Sequence, residues 1–123
     1  MITGLYAALL ALLFLALSGL VIRQRYHTRT AIGLGTGEGL LRASRAHGNF
    51  SEYVPLALVL LLILEQGGAA PWLLHVLGAA LLLGRAAHSF GISRSPEQLR
   101  FRQLGMLLTF GVLGVAAGAL LLR

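Results

Sequence analysis

The sequence predicts an all-α integral membrane protein built as a four-transmembrane-helix bundle, and three observations carry that prediction. Hydrophobic residues make up 57% of the 123 and charged residues only 11%, a balance that suits membrane spans and not a soluble globule. Four apolar segments are separated by short stretches rich in Gly, Pro and Arg. The basic residues are all Arg, and they gather on alternate loops, the pattern that orients a protein across a bilayer. The chain is long enough for one domain, 1–123. Its helices are placed at about 2–29, 38–66, 71–90 and 96–122.

The first helix rests on Ile2–Ile22, which holds no charge and is long enough for a crossing of about 20 residues. It lacks a cationic start, and its apolar run is too long for the core of a signal peptide, so it reads as a permanent span. Arg23, Arg25 and Arg29 follow, then a loop in which Gly33, Gly35, Gly37 and Gly39 alternate with other residues. No strand precedes these glycines, so they are not read as a phosphate loop.

The second helix starts near Gly37–Leu40 and stops at Gln66-Gly67-Gly68. Its uncharged part, Tyr53–Leu64, is too short to span, so the polar half Arg42–Glu52 completes the crossing or projects into the cytosol. Pro71 suits the first turn of the third helix, which makes a tight hairpin. That helix is also short in uncharged residues, Pro71–Gly84, and becomes polar at Arg85 and His88. Antiparallel neighbours put both polar ends on one side. Two incomplete spans therefore bring Arg45, Asn49, Glu52, Arg85 and His88 to one depth. For the fourth helix, Ser95-Pro96-Glu97 reads as N-cap, first-position Pro and first-turn acid. Arg100 and Arg102 come next, then the apolar run Gln103–Leu122. Its Gly111, Gly114 and Gly118 read as small residues packed between helices of the bundle.

The loops joining helices one to two and three to four hold nearly all the Arg, whereas the opposite side holds only Arg123. Both termini are thus expected outside, and the polar ends on the cytosolic side. Arg45, Asn49, Glu52 and Tyr53 fall at i, i+4, i+7 and i+8, one face of a helix. A charge at bilayer depth costs roughly 2.5–3.5 kcal/mol, so this stripe is expected to face protein and to form the wall of a ligand site.

Composition also excludes. No Cys is present, so disulfides, thiolate metal sites and a cysteine nucleophile are ruled out, and any thiol must arrive with a ligand. The net charge of +6 is explained by topology and gives no case for nucleic acid. His47 and His88 read as satisfied or solvated side chains, so no metal is expected. The first span has no acid, which argues against a small multidrug exporter.

The residues carry a resemblance. Arg45-Ala46-x-x-Asn49-x-Ser51-Glu52-Tyr53-x-Pro55 resembles the signature of the membrane-associated proteins in eicosanoid and glutathione metabolism, the MAPEG family. Val21-Ile22-x-x-Arg25 is similar to the end of that family's first helix, and Gln98-Leu99-Arg100 to the start of its fourth. The resemblance covers nearly the whole chain. It implies a homotrimer in membrane lipid, with glutathione as co-substrate between protomers on the cytosolic side. Arg25, Arg45, Asn49, Glu52, Tyr53, Arg85 and His88 would bind glutathione, and Arg100 would stabilise its thiolate. The chain departs from the eicosanoid enzymes at His47, often Gln there, and at His88 and Ser93, where those enzymes carry tyrosines. The departures favour a bacterial-type glutathione transferase or peroxidase acting on lipophilic electrophiles or hydroperoxides. The alternative is a non-catalytic lipid- or glutathione-binding scaffold of the same fold.

Overall fold

The computed structural model describes all 123 residues. It contains four α-helices: α1 Ile2–Thr28, α2 Glu38–Gln66, α3 Pro71–Ser93 and α4 Leu99–Leu121. Each is long and apolar enough to cross a membrane. α2 and α3 form the centre of the bundle. α1 packs on one side of them and α4 on the other, and α1 does not touch α4.

The buried positions of α2 are Leu40, Ala43, Ala46, Phe50, Val54, Ala57, Leu61 and Leu64. Steps of three and four keep them on one stripe, which faces the other helices. From Ala46 to Leu64 they share a core with Leu10 and Leu17 of α1, Leu74, Leu77, Leu81 and Ile92 of α3, and Val112 and Ala116 of α4. Large apolar side chains such as Leu12, Leu15, Leu107 and Phe110 stay exposed on the outside, the surface that suits lipid. At a rise of about 1.5 Å per residue, α2 is roughly 43 Å long and exceeds the hydrocarbon core, so its Arg42 end projects from it.

Several helix ends are held by identifiable devices. The first N–H groups of α1 have no intrahelical acceptor. Glu65 of α2 supplies one: Ile2 N donates to Oε1 at 2.5 Å and Thr3 N to Oε2 at 2.9 Å. Nothing in the spacing of the sequence announces this cap, which joins the start of α1 to the end of α2. At the other end of α1, Arg29 adopts the left-handed conformation, φ 52°. The α2–α3 hairpin turns at Gly68, φ +80°, where a side chain would be strained. Pro71 takes the first turn of α3.

Three sequence expectations are corrected. α3 continues to Ser93 rather than ending near 90, because Gly91 is a helical contact point and not the start of a loop. A carbon added at Gly91 would lie 2.7 Å from the Gln98 carbonyl oxygen, so only glycine admits this approach. α4 begins at Leu99 rather than 96, and its N-cap Gln98 makes no side-chain cap hydrogen bond. Ser95-Pro96-Glu97 is part of the connecting loop because the Glu97 carboxylate turns to two guanidiniums instead of the helix end. Finally, Gly111, Gly114 and Gly118 have no atom within 4 Å of an added carbon. They face outward, and the close approach within the bundle belongs to Gly84 and Gly105 of α3 and α4.

Candidate functional site

Arg85 is the most fully enclosed of the cations, with 0% of its surface exposed. Its guanidinium donates from Nη2 to Asn49 Oδ1 at 2.5 Å and from Nη1 to Thr109 Oγ1 at 3.3 Å. Nη2 also lies 3.3 Å from His88 Nδ1. A guanidinium has no acceptor, so His88 Nδ1 must accept and its ring proton sits on Nε2. Thr109 in turn donates to the Gly105 carbonyl at 2.8 Å. The cluster thus ties α2, α3 and α4 together at one depth. No carboxylate bonds to Arg85, and its Nε has no partner.

The helical stripe of α2 splits at this point. Asn49 turns inward to Arg85. Arg45 and Glu52 pair with each other at 3.7 Å, and each side chain is about half exposed, 51% and 53%. Tyr53 packs edge-on against Phe110 of α4, centroids 5.6 Å apart. The expectation that the whole stripe faces protein therefore fails in the single chain. α3 and α4 cover the Asn49 side of α2 and leave the Arg45–Glu52 edge open.

The remaining expected residues lie apart. Arg25 donates to the Gly33 carbonyl at 2.8 Å and lines a cavity of about 430 Å³ with Ile22, Tyr26, Arg29, Thr30 and Ala31. Arg45 lines a different cavity of about 190 Å³, between α2 and the α3–α4 loop. Arg100 is exposed and makes no hydrogen bond or ion pair within the chain. Its neighbour Arg102, two residues on and so about 200° around the helix, faces the Arg45 cavity instead.

Sequence reasoning missed Arg42 and Glu97 as members of this site. Glu97 accepts from Arg102 Nη1 at 2.6 Å and lies 4.0 Å from Arg42 Nη1. Arg42 also donates to the Ile92 carbonyl at 3.3 Å. The Glu97–Arg102 separation of five is no helical period, and Arg42 is remote in the chain, so spacing could not reveal the group. His47 is also placed: its Nε2 lies 3.0 Å from Ser18 Oγ, and Phe14 stacks on its ring at 4.6 Å. It joins α2 to α1 on the face opposite Arg85. No group of three or more His, Cys, Asp or Glu could hold a metal ion.

The chain is 42% identical over 110 residues to the inner membrane protein YecN of Escherichia coli strain K12, an alignment covering 89% of this chain and 82% of the relative. YecN of E. coli O6:H1 matches to the same extent. No solved structure matches. A sequence model of the MAPEG family matches residues 3–122. With that match spanning the four helices and the Arg45–Tyr53 stripe, the chain belongs to the MAPEG family.

Proposed function

We propose that the protein is a glutathione-dependent membrane enzyme, a transferase, a peroxidase or both. The observation that supports this most directly is the Asn49–Arg85–His88 cluster beside the half-exposed Arg45–Glu52 pair of α2, in a member of this family. The open Arg45–Glu52 edge offers a cation to a peptide carboxylate and a carboxylate to a peptide amine. Asn49, held by Arg85, offers its amide beside them. A homotrimer with α2 near its axis would cover this edge, and Arg25 and Arg100 would reach the bound peptide from a neighbouring helix or protomer. The setting is a bacterial inner membrane, with both termini periplasmic and the site toward the cytoplasm.

The chain has no cysteine, so the reacting sulfur belongs to glutathione. A free thiol has a pKa near 8.5, and lowering it by about two units takes roughly 2.7 kcal/mol. A guanidinium near a partly desolvated sulfur, aided by the N-terminus of α4, provides an effect of this size. The thiolate then adds to a conjugate acceptor, forming a C–S bond as the C=C π bond opens and the resulting carbanion takes up a proton. With a hydroperoxide it takes the terminal oxygen as a glutathione sulfenic acid while the O–O bond breaks and the alkoxide takes up a proton. A second glutathione thiol then condenses with the sulfenic acid to give the disulfide and water.

A second reading has its own support. Arg100 is exposed and makes no hydrogen bond or ion pair within the protomer, which suits a scaffold that binds lipid or glutathione without chemistry. One experiment separates the two. Glutathione is added to purified protein in mild detergent, and ultraviolet thiolate absorbance is followed together with calorimetric binding. Thiolate signal that disappears in Arg100→Gln while binding persists supports the enzyme. Binding without any thiolate signal supports the scaffold, and absence of both removes glutathione from the function.

A further inference from the structure

The cavity between α2 and the α3–α4 loop contains more cationic donors than acceptors. Arg42, Arg45 and Arg102 line it, against the carboxylates of Glu38 and Glu97. Three guanidiniums carry fifteen N–H donors between them. Within the protein they make few bonds. Arg102 reaches Glu97 at 2.6 Å, Arg42 reaches the Ile92 carbonyl at 3.3 Å, and the Arg42–Glu97 and Arg45–Glu52 approaches are ion pairs of 4.0 and 3.7 Å, too long for hydrogen bonds. Arg42 Nε is buried with no partner at all. The space is about 190 Å³, ample for a carboxylate or an oxyanion.

We infer that this cavity is an anion site and that Glu97 acts in it as a built-in competitor, a carboxylate on the loop that holds the place of a ligand's anionic group. The position of Glu97 supports this. It lies just before α4, on the loop that Gln98 N closes by donating to the Gly91 carbonyl at 3.0 Å. It engages Arg102 closely and Arg42 only at 4.0 Å, so one cation is satisfied and the others are underused. A ligand anion takes Arg42 and Arg45 first, with the geometry guanidinium favours. The anion displaces Glu97, whose contacts with Arg102 and Arg42 must break, so the Glu97 charge opposes its arrival. Glu97 thereby lowers affinity and couples anion binding to the loop. That the anion is a carboxylate of glutathione rests on the proposed function; the cavity itself is equally suited to an oxyanion such as sulfate.

The test compares wild type with Glu97→Gln, titrating glutathione and, separately, sodium sulfate into detergent-solubilised protein at constant ionic strength. Removing the charge while keeping the shape is expected to tighten binding about tenfold, equivalent to about 1.4 kcal/mol. Arg102→Gln is expected to weaken it. In the wild type, hydrogen exchange of residues 94–98 is expected to speed up when the anion binds, a readout that needs no variant to fold. Tighter sulfate binding by Glu97→Gln with no glutathione binding by either protein upholds the anion site and removes the glutathione reading. Glutathione bound equally by both proteins, with unchanged exchange in residues 94–98, overturns the inference and leaves that reading intact. Failure of both anions to bind either protein overturns both.

Discussion

Enclosing the Arg85 guanidinium removes it from water, and its stability depends on the groups that replace that water. Asn49 supplies the shortest of them, a hydrogen bond to a charged group worth about 1.5–3 kcal/mol. Asn49→Ala leaves Arg85 Nη2 with only His88 beside it. The expected result is a loss of about 2 kcal/mol, seen as a lower Tm in mild detergent, and an unchanged Tm would show that Arg85 does not depend on this bond. Glu52 is the contrasting case. Its pair with Arg45 is half exposed and long, and such a pair contributes about 0–1 kcal/mol. Glu52→Gln is therefore expected to leave the Tm nearly unchanged while weakening glutathione binding about tenfold, in line with loss of a charged hydrogen bond. A drop in Tm with unaltered binding would make Glu52 a structural residue.

At the scale of helices, α3 and α4 are held together by glycines that face each other. A carbon added at Gly105 would lie 2.6 Å from the His88 backbone nitrogen, inside any permitted contact. Gly105→Ala is expected to push α4 away from α3, break the Arg85–Thr109 bond and cost several kcal/mol, of the size seen for overpacking, about 1–3 or more. Gly114 on the same helix has open space around it. Gly114→Ala is expected to leave the protomer's helical signal and Tm intact or slightly raised, by up to about 1 kcal/mol. Circular dichroism melts of the two variants side by side check the contrast; equal effects would mean that the two glycines do not differ in packing as described. The difference was not legible in the sequence. Both glycines lie in one apolar run, and nothing local tells which face of α4 meets α3. The Ser95-Pro96-Glu97 stretch misled for a related reason. It has the composition of a helix start, but Glu97 has stronger partners in Arg102 and Arg42 than the partial charge of a helix end.

For the whole molecule, the alternation of Arg between loops predicts which side each loop occupies. The natural chain has no Cys, so single cysteines report position without background. Cysteine at Gly68 is expected to react with a membrane-impermeant maleimide added to intact cells, and cysteine at Thr36 only after lysis. The reverse pattern would invert the topology and place the Arg-rich end outside. The half-exposed Arg45–Glu52 edge bears on assembly, because charges left open at the rim of a bundle are better covered by another protomer than by lipid. Native mass spectrometry in mild detergent is expected to show a trimer, and monomer alone would leave the site as a surface feature of one chain.

The sequence by itself determined the number of spans, their order, the hairpin at Gly67–Gly68 and the placing of Asn49 near Arg85 and His88. Those features follow from apolar run length, helix stops and periodicity, all local properties of the chain. It also carried the family, through the Arg45–Tyr53 stretch. Only the tertiary structure decided which way each side chain turns. It turned Asn49 inward and Glu52 outward, closed α1 with Glu65, and brought Arg42 to Glu97 across the bundle. Such pairings depend on the rotation of each helix against its neighbours, which is set by packing among many residues at once and leaves no mark in the spacing of any one segment.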